Sequence, residues 1–164
     1  MEPIPEEVVE RTWREVAQFI PGQIRKENAK LGRHQRDLLG FVLELTGDMG
    51  KPVKELAVYM FFTVFRMFQK AYGKKIKPIS SSQIIECYEA NEGLMGRLEG
   101  AHDKFLDRIV SIQIADQPHV MKYVVEALVE ADENEDLTEL TEKDKGFLFL
   151  LLKTVIDVLN KAAG

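Results

Sequence analysis

Glu99, His102 and Asp103 are the side chains best suited to chemistry in this 164-residue chain. A Glu and a His three positions apart share one face of a helix, where carboxylate and imidazole together can ligate a transition metal. Di-iron bundles use two such Glu-x-x-His pairs plus two further carboxylates. Here a second pair exists only as Asp116-x-x-His119, which spans Pro118. Glu99, His102 and Asp103 are therefore candidate metal ligands in an incomplete set. The competing reading of His102 is a packed histidine, because it falls on an apolar helical seam. The spacing assigns no catalytic residue and no cofactor.

Two other chemistries fail on local grounds. Cys87 is the one cysteine, so no internal disulfide forms, which suits a reducing compartment. On one straight helix His102 would stand about 22 Å away from it. The adjacent Glu86 and Glu89 favour the protonated thiol over the thiolate. Asp132, Asn134 and Asp136 imitate the first, third and fifth ligands of a calcium loop. Leu137 then stands where the turn needs glycine, and Lys143 where the bidentate glutamate belongs. This stretch reads as a solvated acidic linker, and the carboxylates Glu89, Glu92, Glu99, Asp103 and Asp107 read as a solvated helix face.

Charge is divided along the chain. Residues 1–82 hold 14 Lys/Arg against 10 Asp/Glu, and residues 83–164 hold 8 against 17. The basic cluster is Arg25, Lys26, Lys30, Arg33, His34 and Arg36, with Lys26, Lys30 and Arg33 on one helical face. No aromatic residues interleave it to stack bases, and the net charge of −5 argues against general nucleic-acid binding. The cluster reads first as a solvated face or as internal salt bridges; a partner for it would be an acidic ligand, an RNA backbone or the acidic segment Glu126–Asp144, in one variant that of a neighbouring copy.

The elements that must position these residues are helices. No stretch alternates over a strand length, whereas several repeat at helical spacing. A first helix starts near Pro5 and stops before Pro21-Gly22, with Val9, Thr12, Trp13 and Val16 on its apolar side. A second region, 23–46, is expected to divide at Gly32. Gly47, Gly50 and Pro52 break the chain before a third helix that ends near Tyr72, followed by Gly73 as a C-terminal stop. Ser80 and Gln83 form a capping box, with Ile79 and Ile84 as a hydrophobic staple. From there Ile84, Tyr88, Asn91, Met95, Leu98, His102, Phe105, Ile109 and Ile112 trace a heptad-like seam, predicting one long helix subject to bending at Gly93, Gly96 or Gly100. Asp116 caps a fifth helix, and Thr141 with Asp144 caps the last, which runs to about Lys161.

The expectation is an all-α single domain over residues 1–164, a compact and mostly antiparallel bundle of about six helices with frayed ends at 1–4 and 162–164. Neither of the most apolar stretches, Leu56–Phe68 and Phe147–Leu159, approaches the roughly 20 apolar residues that cross a bilayer. With no basic start leading into an apolar run, the chain is expected in the cytoplasm, away from membranes. Functionally it reads as a non-enzymatic helical protein that works by association, as a homodimer or with a protein partner. The third and last helices are apolar nearly all round, and their surplus surface would close a two-fold interface. Arg25, Lys26, Lys30 and Arg33, with Tyr88, Met95, Leu98 and Phe105 on the seam, are the candidate contact residues. The alternative is a metal- or small-molecule-binding bundle with its site near Glu99 and His102.

Overall fold

The computed structural model describes residues 2–99, 115–131 and 140–164. Helices α1 (Glu6–Ala17), α2 (Pro21–His34), α3 (Arg36–Leu45), α4 (Lys51–Tyr72), α5 (Ser81–Glu99), α6 (Pro118–Ala131) and α7 (Glu142–Ala163) account for most of them, with one 3₁₀ turn at Gly73–Lys75. No strand occurs among the described residues, and the helices form an all-α bundle.

The helix ends follow local chemistry. Pro5 precedes α1, and Glu6 and Glu7 occupy the first turn, where the helix dipole favours anions. Gln83 N–H donates to Ser80 Oγ at 3.3 Å, and Ser80 N–H donates to Gln83 Oε1 at 3.0 Å, closing the box before α5. Thr141 and Asp144 do the same for α7. Gly73 ends α4 at φ +56°, a backbone region that L side chains rarely adopt.

The core is built on α4 and α7. Nine residues of α4, from Ala57 to Phe68, are buried, including Met60, Phe61, Phe65 and Phe68. Burial in α7 extends from Lys145 to Ala163 and falls on every side of the helix. α4 packs against α1, α3, α6 and α7, and α7 against α4, α5 and α6. The apolar surface that suggested a two-fold interface is thus covered by the chain's own helices. Among the polar residues of α4, Thr63 is fully buried and donates back to Tyr59 O at 2.9 Å. Arg66 and Lys70 turn to Glu15 on α1.

Two expectations change. The 23–46 region divides at Gln35 rather than Gly32, which remains inside α2. Gln35 is drawn out of helical geometry by tertiary bonds: its Nε2 donates to Lys77 O at 2.9 Å, and its Oε1 accepts from the buried Ile79 N–H at 3.0 Å. One side chain thereby satisfies two backbone groups of the connection between α4 and α5, which the helices leave unpaired. The N-terminal arm also differs from the frayed end expected there. Ile4 is 1% exposed, and its N–H donates to Gln117 Oε1 at 2.8 Å.

Gln35→Leu is expected to lower stability by about 1–3 kcal/mol in urea unfolding, because Ile79 N–H loses its buried acceptor. A loss below a few tenths of a kcal/mol would show that this bond is replaced by water.

Glu15 binds α1 to α4. Arg66 Nη2 and Nε reach Glu15 Oε1 at 2.6 and 3.1 Å, and Lys70 donates to Oε2. The bond from Lys70, then Arg66, holds the Glu15 carboxyl below the ordinary glutamate range against the opposing effect of partial burial. A folded-state value below the unfolded one makes this contribution full above about pH 4.5 and removes it as pH falls through the folded value. Glu15→Gln should therefore cost roughly 0.5–1 kcal/mol at pH 7, the exposed part of the group being screened by water. In guanidinium titrations the variant and the wild type should converge as pH falls from 4.5 through the lowered folded value.

Candidate functional site

The metal-site residues fall at the edge of what is described. Glu99 is the last residue of α5, and the Glu99 side chain, with His102 and Asp103, lies outside the described residues. Among the described residues no three His, Cys, Asp or Glu side chains are grouped to hold a metal. The seam is described only as far as α5 extends. Ile84, Asn91 and Met95 are buried, and Tyr88 packs edge-on against Phe41 of α3 at 5.6 Å between ring centroids. Tyr88 and Met95 are thus engaged within their own chain, while the Leu98 side chain and Phe105 lie outside the described residues.

Where this seam meets α7, it makes the most polar contact of the core. Asn91 Nδ2 donates to Thr154 Oγ1 at 3.2 Å and to Asp157 Oδ2 at 3.0 Å. Asn91 Oδ1 accepts from Lys153 Nζ at 2.9 Å, and Lys153 also donates to Asp157 at 2.8 Å. The spacing of four between Lys153 and Asp157 puts both on one side of α7. The sequence shows that spacing but not its partner, because Asn91 is more than 60 positions away. A cleft of about 750 Å³ opens beside this cluster, with Lys77, Gln83, Glu86, Asp116 and Lys161 on its walls.

The cluster is self-contained. Lys153 and Asp157 neutralise each other, and both polar atoms of the Asn91 amide are in use. Cys87 lines the same cleft and is buried. Burial, then Asp157, pushes its thiol pKa up, and Lys161 and Lys153 oppose this only in part. A protonated thiol is a poor nucleophile. The arrangement serves better to fix the register of α5 on α7 than to move protons.

The basic residues are placed differently. Arg25, Lys26, Lys30 and Arg33 are all exposed on the outer face of α2, flanked by exposed His34 and Arg36. Leu31 is the buried residue of this helix, and it shares a small cavity with Phe62 and Phe65 of α4. The inner side of α2 is thus attached to the core through a narrow contact. Lys30 is 3.5 Å from Glu27, and no ion pair engages Arg25, Lys26, Arg33 or Arg36 among the described residues. Elsewhere on the surface, Lys122 meets Glu6 and Lys51 meets Glu55.

Comparison with known protein families, curated proteins and solved structures gives no match for this chain. Its function is therefore argued from these side chains alone.

Lys153→Met should lower stability by about 1–3 kcal/mol, less than for a fully enclosed pair because the Asp157 side chain is 29% exposed. The double substitution with Asp157→Leu should cost less than the sum of the single losses, because neither charge is then left without its partner. Additive losses in chemical unfolding would show that Lys153 and Asp157 do not interact energetically.

Proposed function

We propose that this protein is a non-enzymatic association module that pairs with a second copy through charge, the basic face of α2 docking on the acidic segment Glu126–Asp144. The observation that carries this reading is the outer face of α2, where Arg25, Lys26, Lys30 and Arg33 stand exposed and three of the four lack an ion pair among the described residues. Residues 25–36 hold five Lys/Arg and one acid, Glu27. Residues 126–144 hold nine Asp/Glu and one Lys, Lys143. Of that segment, Glu126, Glu130 and Glu142 are exposed.

Each side also offers an aliphatic residue to water: Ile20 immediately before α2 is 66% exposed, and Val129 on α6 is 46% exposed. An apolar centre with a charged rim is the usual anatomy of a docking patch. A two-fold axis would form the contact twice, with each copy supplying one basic and one acidic surface. Because α4 and α7 spend their apolar surface internally, the association rests on charge and is weak and salt-sensitive.

Sedimentation velocity at about 0.01 M salt, where charges act over roughly 30 Å, should show a dimer that dissociates at about 1 M, where they act over roughly 3 Å. Lys26→Glu with Lys30→Glu and Arg33→Glu should abolish the dimer without loss of helix content by circular dichroism. Mixing that variant with Glu126→Lys/Glu142→Lys should restore association between the two. A monomer at low salt, or a dimer indifferent to salt, would overturn the reading.

A further inference from the structure

A pocket where α1, α4 and α6 meet has a different chemistry, although it shares Glu130 with the acidic segment above. Trp13, Tyr59 and Tyr123 line an open pocket of about 310 Å³ together with Leu56, Met60, Ala127 and Ala131, with Glu130 as its charged group. Trp13 lies on the side of α1 that the spacing assigned to the core, yet it is 39% exposed. Val9, Thr12 and Val16 bury the centre of that stripe, and Trp13 stands at its edge. Tyr59 is half-buried on α4. Burial raises the pKa of the Tyr123 phenol on α6 and keeps it protonated throughout the working pH range. Both tyrosine rings therefore remain neutral, with their electron-rich faces intact.

We propose that Trp13, Tyr59, Tyr123 and Glu130 form a binding site for a small quaternary ammonium compound. Three aromatic residues on separate helices line one space, and aromatic faces attract a cation that carries little hydration of its own. Among the described residues lining the pocket, Glu130 is the one charged group and none is Lys or Arg. That combination repels anions and complements a cation wrapped in methyl groups. An ordinary ammonium would lose more hydration on entry than the rings return. The volume lies at the lower end of the range for ligand sites and fits a compound of the size of choline. Trp13 already takes the Arg14 guanidinium at 5.5 Å from its ring centroid, and Arg14 is not among the residues lining the pocket.

Trp13 is the sole tryptophan, so its fluorescence reports on the pocket without labelling. Choline titrated into the full chain at constant ionic strength should change that fluorescence saturably. The uncharged isostere 3,3-dimethylbutan-1-ol should bind roughly tenfold more weakly, and Glu130→Gln should weaken choline but not the isostere. Tyr59→Leu should reduce choline affinity, with helix content followed in parallel. Glu130 is exposed, so the Gln variant keeps the test open even if Tyr59→Leu fails to fold. Equal binding of choline and the isostere would reduce the pocket to an apolar depression, and absence of saturable change with either would overturn the proposal. The readout is independent of self-association when repeated at high salt, where the charged contact proposed above is screened.

Discussion

Two helices of 22 residues each, α4 and α7, carry apolar side chains on nearly every side, and such helices are stable in water only when other elements cover them. The remaining helices are arranged to meet that demand. α1 and α3 cover α4, α5 covers α7, and α6 lies against both. Each covering helix needs only one apolar stripe, which leaves its outer side free for charge. α2 is the extreme case: Leu31 is its buried residue, and its exposed side carries Arg25, Lys26, Lys30 and Arg33. The burial requirement of two helices thus sets which surfaces remain free for binding.

Covering helices do not by themselves satisfy the chain between them. Two buried amides perform that task, and a third joins two helices directly. Gln35 serves the connection from Lys77 to Ile79. Gln117 accepts from Ile4 N–H and donates to Tyr72 Oη and Asn160 Oδ1, both at 2.8 Å, which ties the N-terminal arm to α4 and α7. Asn91 joins α5 to α7. An amide offers donor and acceptor together and carries no charge to desolvate, so it is the least costly group for joining backbone and side chain inside a core.

The functional surfaces follow from what this arrangement excludes. The apolar surface of α4 and α7 is largely consumed within the bundle, so the association proposed between copies relies on charge. The Lys153–Asp157 pair and Cys87, which resemble reactive groups by type, are held by neighbours that quench their reactivity. The aromatic pocket arises where α1, α4 and α6 meet and is lined by Trp13, Tyr59 and Tyr123.

Much of the fold was legible without coordinates. Pro5, the break from Gly47 to Pro52, Gly73, and the Ser80–Gln83 and Thr141–Asp144 boxes all act between residues within a few positions of each other. So does the spacing that makes α4 and α7 apolar all round and sets Lys26, Lys30 and Arg33 on one face. Helix identity and the basic surface were therefore determined by the sequence itself. The break at Gln35, the burial of Ile4 and the meeting of Asn91 with Lys153 depend on partners 42 to 113 residues away. The exposure of Trp13 and its meeting with Tyr59 and Tyr123 likewise depend on how α1, α4 and α6 cross. Those features were decided only by the tertiary structure, because a hydrogen bond or an aromatic contact has a range of a few ångströms and local spacing carries no record of which distant side chain will enter it.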